Sequence, residues 1–357
     1  MRKVALELLT PDMVLGKPVY HLNNLLLKVG TGQLERYVTS LSRLGITHLY
    51  VTDSISEDII VEDTISQETR LHCKQVLFST MNQLSGQGIL QTSMLSESAD
   101  EILEEILKNP GVLVSMNEIG TSDDSTFNHS INVAIYSLLI AKQLDYPKVR
   151  AKKLAMGMLL HDIGKTMVDQ RILYKPGRLT KEEYEHIKTH TKLGYDVLRK
   201  NDTLTELSRI VALSHHERLD GSGYPNRLRG DELHEFVRIA AIVDIYDALV
   251  SERCYHKKKS IYEAVAMLKE EAAGRLDADL LAMFIKCLAI YPNGTMVKLS
   301  DGTTGIVKCQ NSEYPYRPVV RMVRDRMDKP MPLFDIDLSK EKHMRIQEAK
   351  YIEGLSK

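Results

Sequence analysis

The spacing of apolar and polar positions divides the chain into four stretches. Between residue 1 and about residue 60, short β-prone pieces at 17–20, 25–29 and 48–52 read as strands, with Pro18 suited to a strand start or edge. Between the second and third pieces, 33–44 carries Leu34, Val38, Leu41 and Leu44 at helical spacing, and Gly45 stands at the C-cap position. This strand, strand, helix, strand order predicts a small mixed α/β domain. It holds no catalytic constellation and reads as a regulatory or interaction domain. Residues 61–111 are polar and helix-prone, with candidate helices at about 66–84 and 96–108, and they read as a helical connector. Asn109-Pro110-Gly111 ends it, because the residue before proline leaves the helical region and glycine permits a turn.

From 112 to 291 apolar residues recur at three- and four-residue spacings, broken by Tyr174-Lys175-Pro176-Gly177 and Asp220-Gly221-Ser222-Gly223. This predicts an all-helical unit of enzyme size. After Tyr291-Pro292-Asn293-Gly294 the period changes to strands. Runs at 295–299 and 304–308 flank Ser300-Asp301-Gly302, a hairpin signal, and 318–323 reads as a third strand. Residues 292–357 are therefore expected to form a β hairpin appendage followed by a terminal helix over 339–352, with a packing or dimerisation role. The fold class is mainly α.

Composition narrows the functional classes. At 357 residues with 43% hydrophobic content the chain can bury at least one sizeable core. A formal net charge of −1 excludes a global electrostatic signature of nucleic-acid polymer or membrane-surface binding. Cys73, Cys254, Cys287 and Cys309 are scattered and form no CxxC pair, which argues against a disulfide framework or zinc ribbon and suits a reducing cytoplasm. No apolar run approaches the ~18 residues that span a bilayer, and no long apolar stretch follows the N-terminus, so membrane insertion is not expected.

Candidate chemistry concentrates in 112–291, which holds eight of the 12 histidines. Leu159-Leu160-His161-Asp162-Ile163-Gly164-Lys165 puts an imidazole and a carboxylate at the end of an apolar run, where burial is costly unless something pairs with them. His129 shares a helical face with Val133, Tyr136 and Ile140. His190 shares a face with His186 at i, i+4, and the spacing leaves open which of the two turns inward. His215 and His216 end the apolar run 210–213. Asp244 interrupts the stripe Val237, Ala240, Ala241, Ala248. Each residue alone is compatible with a hydrogen-bonded core position. Together they supply seven ligand-type side chains, enough for two metal ions if Asp162 bridges them.

The motifs His161-Asp162-Ile163-Gly164-Lys165, His215-His216-Glu217-Arg218-Leu219-Asp220-Gly221-Ser222-Gly223-Tyr224-Pro225 and Asp244-Ile245-Tyr246-Asp247-Ala248-Leu249 resemble those of the HD-GYP family, a branch of the HD phosphohydrolase superfamily. Its members are typically cyclic di-GMP phosphodiesterases. The resemblance implies that His129, His161, Asp162 and Asp244 hold one metal, and that His190, His215 and His216 hold a second, with Asp162 between them. It implies Lys165 at the scissile phosphate, Gly223, Tyr224 and Pro225 lining the substrate pocket, and Arg253 as a phosphate contact, while the mixed imidazole and carboxylate donors suit iron or manganese better than a closed structural zinc site. Asp162 and Lys165 become the expected catalytic pair. Ser125 stands where some members carry a glutamate tied to a third metal, which favours two. His256, followed by Lys257, Lys258 and Lys259, departs from the usual Lys or Arg three residues after Arg253. The expected reaction is hydrolysis of cyclic di-GMP to the linear dinucleotide or onward to GMP. The alternatives are a phosphohydrolase for another cyclic dinucleotide and a non-catalytic metal- and nucleotide-binding signalling module. A signalling protein partner and a homodimer are compatible with either.

Overall fold

The computed structural model describes residues 1–21, 24–88, 90–109, 113, 125–251 and 259–350. These fall into two compact units, one built from Met1–Asp63 and Leu113 together with the chain from Leu288 onward, the other from the helices between Thr64 and Cys287.

The first unit opens with strands β1 (Arg2–Ala5), β2 (Val14–Leu15), β3 (Val19–His21) and β4 (Asn24–Leu27), continues through helix α1 (Val38–Arg43), and closes its N-terminal part with β5 (His48–Thr52). A three-stranded sheet has the order β1-β5-β2, and β3 pairs with β4 as a hairpin. Leu15, Leu34, Leu41, Leu49 and Val51 bury one shared core, which is why 33–44 is amphipathic. Strands β6 (Met296–Leu299), β7 (Thr304–Cys309), β8 (Val319–Arg324), β9 (Pro330–Asp337) and β10 (Ile346–Lys350) form an antiparallel sheet ordered β10-β6-β7-β8-β9.

Two expectations are corrected here. The helix expected over 339–352 is absent among the described residues; β10 pairs instead with β6, from Ile346 against Leu299 to Lys350 against Met296. The stretch is rich in helix-forming Lys, Glu, Gln and Ala, but helix propensity is a weak preference, and the long-range pairing with β6 overrides it. The N-terminal stretch and the C-terminal strands also do not stand apart. Tyr50, Ile59 and Val61 bury against Ile306 and Val323, and Arg321 pairs with Asp58 at 2.7 Å. Pieces this small bury too little apolar surface alone.

The second unit contains α2 (Gln67–Gln87), α3 (Ser93–Lys108), α4 (Ser125–Gln143), α5 (Lys148–Leu160), α6 (Gln170–Leu173), α7 (Lys181–Lys188), α8 (His190–Leu198), α9 (Glu206–Ser214), α10 (Glu235–Val250), α11 (Ile261–Arg275) and α12 (Ala278–Lys286). The stretch read as a connector belongs to this bundle: Leu95, Ala99, Ile102, Leu103 and Ile106 of α3 are buried, and α3 packs on α4 and α5. Rings of Tyr136, Tyr246 and Phe284 join α4, α10 and α12 edge to face, with centroids 5.1 and 5.0 Å apart along the chain of contacts. Among the described residues no helix is long and apolar enough to cross a membrane.

Ile306 is fully buried in the core shared by the N-terminal and C-terminal strands. Ile306→Ala should destabilise the first unit by about 2–5 kcal/mol. Hydrogen exchange should quicken in β5 as well as β7; exchange confined to β7 would show that the two pieces fold independently.

Candidate metal centre

Each site residue is delivered by the end or middle of a buried helix. His129 lies on the face of α4 that buries Val133, Tyr136 and Ile140. The last turns of α5 are wholly buried, so the chain leaves that helix at His161 and Asp162 with both side chains already inside. A short 3-10 helix, Ile163–Met167, turns the chain away and places Lys165 at the rim. Gly164 makes that turn possible: a Cβ there would lie 2.6 Å from Gly194 N and would run into the His190 carbonyl, so a side chain cannot fit without moving the start of α8. His190 is buried, while His186 is exposed, which decides between them. His215 forms the C-cap of α9, and His216 follows it.

The carboxylate of Asp162 divides the imidazoles into two sets. Its Oδ2 lies 3.4 Å from His161 Nε2 and 3.7 Å from His129 Nε2, while its Oδ1 lies 3.5 Å from His190 Nε2 and 3.7 Å from His215 Nε2. His129, His161 and Asp162 present ligand atoms within 4.8 Å of one another, as do His190, His215 and His216. Asp244 spans the sets as well, with Oδ1 3.1 Å from His129 Nε2 and Oδ2 3.7 Å from His216 Nδ1. Asp244 was expected on the His129 side alone; its central place on α10 lets its two oxygens face both ways.

The hydrogen bonds fix which ring nitrogens carry lone pairs. His161 Nδ1 donates to Met158 O at 2.7 Å, His190 Nδ1 to Ile187 O at 2.7 Å, and His215 Nδ1 to Val211 O at 3.0 Å. A carbonyl only accepts, so in each neutral ring Nε2 is the unprotonated nitrogen. Yet His190 Nε2 faces His215 Nε2 at 3.4 Å, and Asp162 Oδ1 is buried with no hydrogen-bond donor. Lone pairs converging on an unpartnered buried carboxylate oxygen are repulsive unless a cation lies among them. The donor set therefore fits divalent metal ions.

Burial lowers the pKa values of His190, His215 and His216, the last to about 3, so these rings are neutral ligands in advance. Burial also opposes a charge on His129, but hydrogen bonds to the Asp244 and Asp247 carboxylates outweigh it and push that pKa up to about 9. For Asp162, burial favours the protonated form, yet the Lys165 ammonium beside it holds the carboxyl well below its usual range. Lys165 Nζ donates to Asp162 Oδ2 at 2.5 Å.

The loop after His216 forms one wall. Glu217 is fully buried, and its carboxylate accepts from the backbone N–H groups of Asn226, Arg227 and Leu228 at 2.7, 3.1 and 3.2 Å. Gly223 crosses so close to this residue that a Cβ would lie 2.5 Å from Arg218 N. The Tyr224 ring then packs on His216 with centroids 4.7 Å apart, and the peptide to Pro225 is cis. Arg253, His256, Lys257 and Lys258 lie outside the described residues.

Sequence reasoning missed Glu217 and Asp247. Asp247 is fully buried and accepts from His129 Nδ1 at 2.7 Å and Asn132 Nδ2 at 2.9 Å. Its i, i+3 spacing from Asp244 put it within a turn of the expected ligand, a signal that was present in the motif.

A helical fold closed around a His/Asp cluster defines an HD-type protein, a class whose domains bind divalent metals. The HD domain family matches residues 102–280, and the chain belongs to that family. Within it the chain carries the HD-GYP motifs. Residues 296–357 match a KOW domain associated with HD domains. A cyclic di-GMP phosphodiesterase of Pseudomonas aeruginosa is 35% identical over 256 residues, covering 71% of this chain and 61% of that protein. A cyclic di-GMP phosphodiesterase of Thermotoga maritima is 37% identical over 165 residues, covering 46% of this chain and 45% of its own. A 3'3'-cGAMP-specific phosphodiesterase of Vibrio cholerae is 38% identical over 168 residues, covering 47% of this chain and 36% of its own. The chain thus spans less than two thirds of the length of each of these relatives.

Two outcomes are expected at this centre. Gly164→Ala should displace His190 and cost the second imidazole set its metal, read by metal analysis after anaerobic reconstitution; full loading would contradict the close approach. In apoprotein titrated with Mn(II) between about pH 6 and 8, affinity on the His129 side should fall about tenfold for each unit the pH is lowered. The sign follows from the raised pKa: below about 9 a proton must leave His129 before a cation binds, whereas the His190 set needs no such release. Equal pH dependence of both binding steps would count against this assignment.

Proposed function

We propose that this chain hydrolyses a phosphodiester bond of cyclic di-GMP at the centre organised by Asp162, with two divalent ions, iron or manganese, as cofactors. The observation that carries the reading is the carboxylate of Asp162, whose two oxygens face separate imidazole sets at 3.4–3.7 Å. His129, His161, Asp162 and Asp244 would hold one ion, and His190, His215 and His216 the other. When bound, the ions supply charge neutralisation, Lewis acidity and an activated water. The mixed imidazole and carboxylate donors suit iron or manganese better than a closed structural zinc site.

The chain's own residues then bind and orient the substrate. Lys165, a quarter exposed at the rim, offers its ammonium to a phosphate oxygen where charge develops during cleavage. Gly223, Tyr224 and Pro225 form the wall over His216, with the Tyr224 ring presented to a purine base. Arg253 is assigned the second phosphate contact. The product is the linear dinucleotide, with GMP the result of a second cleavage. Scattered cysteines, of which Cys73 and Cys287 are buried free thiols, suit the cytoplasmic setting this reading carries.

A second reading, cleavage of another cyclic dinucleotide, is favoured by the 38% identity to the Vibrio cholerae enzyme specific for 3'3'-cGAMP. Product analysis on a panel of cyclic dinucleotides separates the two.

Protein reconstituted anaerobically with Fe(II) or Mn(II) should convert cyclic di-GMP to linear product. Asp162→Ala should lose metal and turnover together, and Lys165→Ala should keep both metals while losing about 10²–10³-fold in kcat. Metal-loaded protein that leaves every cyclic dinucleotide intact would favour a non-catalytic signalling module.

A further inference from the structure

The residues converging on Asp162 leave a second line of polar groups, running from half-buried to fully buried, without a role. It begins at Arg70 on α2, upstream of the stretch 102–280 that matches the HD domain family. The Arg70 guanidinium donates to Asn132 Oδ1 at 2.7 Å, Asn132 Nδ2 donates to Asp247 Oδ1 at 2.9 Å, and Asp247 Oδ2 accepts from His129 Nδ1 at 2.7 Å. The Asn132 amide has only one workable orientation, because a guanidinium only donates and a carboxylate only accepts. At the far end, His129 Nε2 lies 3.1 Å from Asp244 and 3.2 Å from His161 Nε2.

Asn132 and Asp247 are both buried, so neither can replace a lost partner with bulk water. A carboxylate on the outer nitrogen of a metal-binding histidine fixes both tautomer and ring orientation. Here that carboxylate is itself held by Asn132, whose amide is set by Arg70. The helix supplying Arg70 is well placed to transmit its own position. It packs on α4, which carries His129, and on the short helix Ile163–Met167, which carries Lys165. Phe78 of α2 meets Phe127 of α4 edge to face at 5.7 Å.

We propose that Arg70 is a positioning residue: through Asn132 and Asp247 it fixes the His129 ring, making the His129–Asp244 half of the centre dependent on the placement of α2. The inference rests on the metal-centre reading above. It makes α2 the element through which a displacement loosens one half of the centre while leaving the His190, His215 and His216 half intact.

The full chain is reconstituted anaerobically with Mn(II), and metal stoichiometry, the stepwise binding isotherm and thermal unfolding are recorded for wild type, Arg70→Met and Arg70→Lys. Met keeps the packing of the aliphatic stem and removes every donor. Arg70→Met should weaken one of two Mn(II) steps about 10–100-fold and leave the other unchanged. Arg70→Lys, which keeps a charged donor, should recover part of the loss. Wild-type binding in Arg70→Met, or equal weakening of both steps, overturns the proposal. An Arg70→Met protein too unstable to reconstitute leaves Arg70→Lys to decide, where selective weakening of one step supports the relay and unchanged or uniform binding overturns it. Failure of the wild-type chain to bind two ions would instead overturn the metal-centre reading.

Discussion

A buried carboxylate with one oxygen lacking any hydrogen-bond donor is the constraint on which the helical unit depends. Asp162 is 2% exposed, and four imidazoles approach it from two sides. An isolated charge in such a place is expensive, and mutual approach of unprotonated imidazole nitrogens adds to the cost. Helices α4, α5, α8, α9 and α10 each contribute one part of a donor set that fits a cation, rather than independent core residues.

The supports lie one bond further out. Backbone carbonyls of Met158, Ile187 and Val211 orient three imidazoles, and the Asp247 carboxylate orients a fourth. Glu217 does the equivalent work for the loop carrying Tyr224, by gathering three successive backbone N–H groups. The glycines serve approach rather than flexibility: at Gly164 and Gly223 the neighbouring backbone occupies the space a side chain would need.

Much of this was legible in the sequence because the candidate ligands break an otherwise apolar pattern. His129, His161, Asp162, His190, His215, His216 and Asp244 stood out as polar side chains on faces that had to be buried, and the structure brings all seven together. The supporting residues were not legible by that logic. Arg70 and Asn132 are separated by 62 positions and look like ordinary polar helix residues until the fold joins them. The same limit explains the terminal strand: pairing of Lys350 with Met296 is decided by a partner far away in sequence. It also explains the union of the N-terminal strands with the C-terminal sheet, since Tyr50 and Ile306 reveal their shared core only once both are placed.

The central claim is that Asp162 joins two metal ions through its separate oxygens. Electron paramagnetic resonance of the anaerobically Mn(II)-loaded protein tests it most directly. The account predicts an exchange-coupled dimanganese signal that disappears in Asp162→Ala. Two magnetically isolated Mn(II) ions, or a single ion per chain at saturation, would contradict it.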